Sequence, residues 1–326
     1  MKRKVMLQLV VPLLSLCVLF LLLAMEPEQS RKGTELVEVS VVLRQEDTTL
    51  WSTARQGMEQ AAADLGAELR LLTLESAGSA EEQADLLQRE VDGGAGAVVL
   101  VPADTDVLGD AVQDLSAQVP VVTMETDMEL WGACAFVGMD NAALGNALGQ
   151  AALNGALRGK TVLLIDSVGG RGGVQERLEA AASVLEAAGR TVRVCRAENG
   201  ESLREAVAAA VEREAPALVL AFEAGALETA ASVLEQMEGP APLLYGSGAT
   251  NTIAYALEQG WITAIAAQNE FAAGYLAVEA AVEAWRKVPR TEVEPMEFSI
   301  VRKENMYDPA NQKLLFPVTR SRRCAT

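Results

Sequence analysis

From Val37 onward the chain alternates short apolar runs with longer amphipathic stretches, and this alternation restricts its fold more than any other feature. Runs at Val37–Leu43, Leu69–Leu74, Ala97–Val101, Val121–Met124 and Ala135–Val137 have the length and content of buried strands. Helices are predicted between most of them. Ser52–Leu65 stops at Gly66, a residue suited to a helix C-terminus, and Ala80–Val91 opens with "SAEE", a capping-box pattern linking Ser79 and Glu82. The rhythm then repeats. Strands are predicted at Thr161–Ile165, Thr191–Cys195, Ala217–Phe222 and Leu243–Tyr245, with helices at Val174–Ala188, Leu203–Glu212 (behind a second capping pattern, "SLRE") and Ala226–Met237. Strand-helix-strand succession builds parallel sheets covered on both faces. Two such series in 326 residues, too many for one small core, predict an α/β chain of two doubly wound parallel-sheet lobes.

Ligands bind such sheets beyond the carboxyl ends of the strands. Two successive strands end there in acidic groups: "PVVTM" runs into Glu125, and "CAFVGM" runs into Asp140 and Asn141 ahead of a small-residue helix. These are the first candidates for groups that face a crevice.

Composition removes several function classes. The net charge of −18 argues against nucleic acid, whose phosphates require clusters of Lys and Arg. With no histidine there is no Ser-His-Asp triad, Cys-His dyad or HExxH zinc site. The four cysteines, Cys17, Cys134, Cys195 and Cys324, have no metal-binding spacing. Cys134 and Cys195 lie in or beside apolar runs and read as small core residues. "GGRGG" at 169–173 lacks the lysine and hydroxyl of a P-loop and fits a tight strand-to-helix turn, with Arg171 either reaching toward the crevice or, the favoured reading, solvated. No metal or cofactor is expected.

The N-terminus carries an address. Lys2, Arg3 and Lys4 precede Val5–Met25, 21 residues without a charge. About 20 apolar residues span a bilayer, and the flanking positives stay cytoplasmic, so one N-terminal transmembrane helix with the globular part outside is the first expectation. Cleavage ranks second, since Leu22 and Ala24 match a cleavage site poorly, and lipidation at Cys17, behind the bulky Leu16, ranks third.

"QGMEQAAADLGAELRLL", "GGAGAVVLVPADTDVL", "VPVVTMETD" and "FVGMDNAALGNALG", in that order, resemble the first lobe of type I periplasmic solute-binding proteins, in particular the ribose-binding, sugar-type branch. "GKTVLLIDSVGGRGGVQERLEAA" and "LEQGWITAIAAQNEFAAGYLAVEA" resemble that family's second lobe and its return to the first. The resemblance extends from Leu36 to about Val301. It implies two lobes joined by a three-segment hinge. Residues 1–33 would be the membrane segment and juncture, 34–139 with 269–296 the first lobe, 140–268 with 297–310 the second, and 311–326 a C-terminal tail.

The same resemblance implies a set of ligand residues: Thr48, Trp51, Glu125, Arg177, Glu223 and Gln268, with Asp140 and Asn141 at the hinge. Trp51 has two readings, a face for a sugar ring or equally for a planar or cationic group, and a packing residue at the start of its helix. Arg177 matches the family arginine that bonds ligand oxygens through a fixed fork. The chain departs from the family where Glu125-Thr126 replaces Asp-Arg, Glu223-Ala224 replaces Asn-Asp, and Ser247-Gly248 stands where relatives carry an aspartate. Polar groups for a neutral sugar are thereby lost and a second carboxylate is gained, which biases the pocket toward hydrogen-bond donors or a cation, with Arg177 or a cationic ligand group to relieve the paired carboxylates.

The function implied is a membrane-anchored extracytoplasmic protein, not an enzyme, that closes over a small polar, sugar-like ligand for ABC-type uptake by a membrane permease or for sensing. The alternative is a ligand-sensing partner of a membrane sensor kinase, with an amine or amino-acid-like ligand. A lactose-repressor-type regulator shares the fold but needs an N-terminal DNA-binding segment, and a glycosidase built on Glu125 and Glu223 lacks any catalytic motif.

Overall fold

The computed structural model describes residues 36–44, 51–76, 78–155, 159–170, 172–197, 202–289 and 294–316. The first sheet contains β1 (Val37–Val42), β2 (Ala67–Leu72), β3 (Ala97–Leu100), β4 (Val121–Met124) and β5 (Ala135–Val137), all parallel, in the order β2-β1-β3-β4-β5. Helices α1 (Ser52–Leu65), α2 (Ala80–Asp92) and α3 (Thr105–Ser116) connect its first four strands. The chain continues through α4 (Asn141–Leu153), β6 (Thr161–Asp166), α5 (Gly173–Ala187), β7 (Thr191–Arg196), α6 (Leu203–Glu214), β8 (Leu218–Ala221) and α7 (Ala224–Glu235). It ends with β9 (Leu243–Ser247), α8 (Asn251–Gln259), β10 (Ala264–Gln268), α9 (Glu270–Trp285), β11 (Phe298–Val301) and α10 (Pro309–Leu315). The second sheet has the order β11-β10-β9-β8-β6-β7.

Period-two alternation along the central strands feeds two cores per sheet, so both sheets are covered on both faces. In β3, Ala97 and Val99 join the core beneath α1 and α9, whereas Val98 and Leu100 join the one beneath α2 and α3. In β8, Val219 and Ala221 face α6, α7 and α8, whereas Leu218 and Leu220 face α4 and α5. Both sheets and their helices belong to one compact unit beginning at Val37.

The chain passes between the sheets three times: from β5 into α4 around residues 138–140, from β10 into α9 at 268–270, and from α9 into β11 at 294–297. The first and last passages run side by side, with the Met296 amide donating to the Gly138 carbonyl at 2.8 Å. After the second passage α9 packs on α1 and the first sheet. Its approach to α1 depends on two glycines. A Cβ on Gly274 would stand 1.9 Å from the Ala54 carbonyl oxygen, and one on Gly57 would stand 1.9 Å from that of Phe271.

Several local expectations change in the structure. β11 runs antiparallel to β10, with Phe298 opposite Gln268. The chain re-enters the second sheet at the end where β10 left it, so its next strand can only run back. Ser79 accepts from the Glu82 amide, but the Glu82 carboxylate turns instead to the amides of Glu75 and Ser76, so "SAEE" forms half a box. "SLRE" forms the complete box at Ser202 and Glu205, and Gly66 ends α1 at φ 64°. Cys195 is buried, but Cys134 is exposed: it lies just before β5, where the chain comes in from the surface turn at Glu129–Trp131. Among the described residues no helix is long and apolar enough to cross a membrane; Val5–Met25, Cys17, Thr48, Arg171 and Cys324 lie outside them.

Candidate ligand-binding cleft

Both sheets share the strand order 2-1-3-4-5 when each is counted from its own first strand, with β11 added at one edge of the second. In such sheets the crevice opens where the order reverses, between β1 and β3 in one and between β6 and β8 in the other. Arg44 follows β1, Ser167 follows β6 and Glu223 follows β8, and these three residues meet. A cavity of about 50 Å³ adjoins Arg44 and Glu223. Its wall includes Trp51, Glu125, Met139, Arg177, Ser247, Thr250, Gln268 and Glu270.

Arg44 organises the charges. Its Nη1 donates to Glu125 Oε2 at 2.5 Å and its Nη2 to Glu223 Oε2 at 2.9 Å, and Ser167 Oγ donates to the other Glu223 oxygen at 2.8 Å. Only 3% of Arg44 is exposed. Burial opposes its charge, but the two carboxylates outweigh burial and hold its pKa above the ordinary value. Burial likewise pushes Glu125 up, and the charges of Arg44 and Arg177 with the hydrogen bond from Arg44 reverse this, leaving it below the usual carboxylate range. Removing one member of such a buried pair costs on the order of 3–5 kcal/mol, because the other charge is left uncompensated.

Glu125 is also unusual in its backbone. Its φ is 62°, a left-handed conformation uncommon outside glycine and concentrated at functional sites. Three contacts hold it there. Its amide donates to the Val137 carbonyl at 3.3 Å, its own carbonyl accepts from Asn141 Nδ2 at 2.8 Å, and the next residue's Oγ1, on Thr126, accepts from the Gly173 amide at 2.9 Å. A Cβ on Gly173 would come within 2.4 Å of the Glu125 carbonyl oxygen, so α5 needs glycine where it meets this loop.

Arg177 lies 2% exposed on α5, donating through Nε to Asn141 Oδ1 at 2.7 Å and through Nη1 to the Phe222 carbonyl at 3.0 Å. Desolvation is the main reason that its pKa is lowered, with Arg44 adding to it. Gln268 ends β10 and donates to Glu270 Oε1 at 3.1 Å. Glu270, the first residue of α9, has its carboxyl pushed up to about 7, by burial first and then by Glu125, against the hydrogen bond from Gln268 and the charge of Arg177.

Five of the residues singled out in the sequence, Trp51, Glu125, Arg177, Glu223 and Gln268, therefore line one cavity. Trp51 also packs in the core of the first sheet, so its two readings coincide. Asp140 lies outside the wall: it is exposed and caps α4, accepting from the Ala143 amide at 2.8 Å. Asn141 is buried and joins the Glu125 backbone to Arg177. Arg44 and Glu270 were not anticipated. An arginine after a strand and a glutamate in a helix's first turn both resemble ordinary solvated charges. Arg44, rather than Arg177, lies between the two carboxylates as their hydrogen-bonded counter-charge.

Two buried polar atoms in this wall, Arg44 Nε and Gln268 Oε1, have no hydrogen-bond partner among the described residues. One is a donor and the other an acceptor, and buried groups of both kinds ordinarily find partners. Among the described residues no group of His, Cys, Asp or Glu has the arrangement of a metal site.

Two parallel-sheet lobes, three passages between them and a polar cavity at the strand ends define a two-lobed binding protein. Residues 39–287 match the family described as periplasmic binding protein domain, and the chain belongs to that family. It is a family of non-enzymatic solute-binding proteins. Solved structures share the fold. A carbohydrate-transporter solute-binding protein from Agrobacterium radiobacter, in complex with D-arabinose, is 18% identical with a TM-score of 0.79 over 87% of this chain and 100% of its own. GanP, a glucose-galactose binding protein from Geobacillus stearothermophilus, is 20% identical with a TM-score of 0.73 over 84% and 99%. A chain of the XylFII-LytSN complex is 14% identical with a TM-score of 0.72 over 82% and 98%. No curated protein matches this chain in sequence.

Proposed function

We propose that this protein is an extracytoplasmic solute-binding protein that closes its lobes over a small neutral polyhydroxylated ligand, sugar-like in its chemistry, and passes it to a membrane permease. The observation that carries this reading is the pair of unpartnered buried atoms, the donor Arg44 Nε and the acceptor Gln268 Oε1. A hydroxyl both donates and accepts, so a polyol satisfies both where an ammonium group satisfies only the acceptor. The presence of Arg44 beside Glu125 and Glu223 supports a ligand without net charge, because the cleft carries its own cation for its carboxylates.

Ligand contacts are assigned to Trp51, Glu125, Arg177, Glu223 and Gln268, joined by Arg44, Glu270 and, from the sequence, Thr48. Asp140 and Asn141 belong to the first of three hinge strands. The first lobe comprises 34–139 with 269–296 and the second 140–268 with 297–310. Lys2–Lys4 and the apolar Val5–Met25 support a membrane anchor that leaves the lobes outside.

The test is thermal unfolding of the protein with D-arabinose, D-galactose, D-glucose, myo-inositol, and a set of amines and amino acids. A ligand at 100 times its dissociation constant adds about 2.7 kcal/mol of stability. At least one neutral sugar or polyol stabilises the protein on this reading. Stabilisation by amines or amino acids alone overturns it. A second reading, a solute sensor docked to a membrane kinase, is favoured by the fold shared with the XylFII-LytSN complex. It keeps the same cleft and differs in the partner that co-purifies from membranes.

A further inference from the structure

Arg44 belongs to the first lobe, following β1, yet its two terminal nitrogens are divided between lobes. Nη1 holds Glu125 at the end of β4 in its own sheet, and Nη2 holds Glu223 at the end of β8 in the other. Glu125 thus holds Arg44 within the first lobe, and Ser167 holds Glu223 within the second. The guanidinium is a planar fork with fixed donor directions, which suits it to joining two carboxylates that approach from different elements. The cavity it closes, about 50 Å³, admits a few water molecules and is well below the roughly 300–1,000 Å³ of small-molecule sites.

We infer that Arg44 is a cross-lobe latch and a solute-selecting residue. It occupies the middle of the cleft as an internal stand-in for ligand, drawing Glu223 across and holding the lobes together when no solute is present. Ions buried at this point are costly unless paired, so the closed arrangement persists only while the bridge is intact, and opening hydrates both partners. A solute therefore enters by replacing the bridge. It must offer a donor to Glu223 and an acceptor to Arg44, and the free-energy difference between the two closed forms sets which solutes shift the equilibrium. The selecting role rests on the solute-binding reading above; the latch does not.

The latch is tested without any solute. Spin labels are placed at Leu130 and Glu179, both exposed and on opposite lobes, in the full chain with Cys17, Cys134 and Cys324 replaced by serine. Distances between the labels are then measured by pulsed electron resonance. The parent protein gives one short, narrow distance distribution. Glu223→Ala removes the cross-lobe half of the bridge together with the Ser167 contact inside the second lobe, leaving Glu125 to neutralise Arg44, and shifts the distribution to longer, broader distances. Arg44→Ala does the same, and n-propylguanidine added to that variant restores the short distance by refilling the space between the two carboxylates. Both variants staying as short as the parent, or a parent already at the long distance, overturns the latch. Because no sugar is used, that outcome leaves the solute-binding reading to its own thermal test, and a failed sugar screen leaves the latch to this one.

Discussion

At the scale of single residues, Glu270 makes protonation part of the cleft's chemistry. Its carboxyl is raised from 4.5 to about 7, so the folded state holds a proton that the unfolded chain releases. Between those values the native state binds more protons than the unfolded one, and stability falls as pH rises through the window. The full rise corresponds to at most about 3–4 kcal/mol, an upper value because the half-buried side chain keeps some contact with water. Glu125 acts in the opposite sense: its lowered pKa gives stability that is lost only in stronger acid, below its unfolded value. Glu270→Gln is therefore expected to flatten the decline in urea midpoint from about pH 4.5 to about pH 7 while leaving the acid limb unchanged. A decline that persists in the variant assigns the proton elsewhere. The sequence revealed this level unevenly. Glu125, Arg177, Glu223 and Gln268 were visible because they fall on positions a familiar motif order marks. Arg44 was not, because its partners stand 81 and 179 residues away and nothing local separates a latch from a solvated strand-end charge.

At the scale of elements, the legible features were those with a local cause. α1 was placed at Ser52–Leu65 because a glycine in the left-handed region ends it, and the β4 and β5 runs are bounded by the residues that leave the sheet. β11 has no such signal. Its four residues, "FSIV", become a strand only by pairing with β10, a partner fixed by the third passage between lobes. The α1–α9 contact is equally non-local, and it yields a sharp expectation. Gly274→Val puts a branched side chain where even a Cβ lies 1.9 Å from the Ala54 carbonyl oxygen, a backbone atom that cannot turn aside. The helices must separate, and α9 is covered by β1, β3, β4 and β5 on its other side. A loss of about 3 kcal/mol is expected, at the upper end for overpacking. It is read as a lower urea midpoint at unchanged m-value, and an unchanged midpoint refutes the close approach.

At the scale of the whole molecule, two adjacent residues at the first passage between the lobes have separable tasks. Asp140 works locally: exposed, it caps α4 through the Ala143 amide. Asn141 works across the cleft: buried, it donates to the Glu125 carbonyl at 2.8 Å from one lobe and accepts from Arg177 Nε at 2.7 Å in the other. Asp140→Ala removes a cap and should lower stability by about 1 kcal/mol, leaving solute affinity within about twofold, since no cavity-lining group depends on it. Asn141→Ala leaves a carbonyl and a guanidinium nitrogen without their partner in a buried place, each costing on the order of 1–3 kcal/mol. Both belong to residues of the cavity wall, Glu125 and Arg177, so misplacing them should also weaken solute binding by about tenfold, equivalent to about 1.4 kcal/mol. Urea denaturation gives the stabilities, and calorimetric titration with the best neutral sugar from the thermal screen gives the affinities. If Asp140→Ala reduces affinity while Asn141→Ala spares it, the connection between lobes runs through the helix cap and not through the Glu125–Asn141–Arg177 chain.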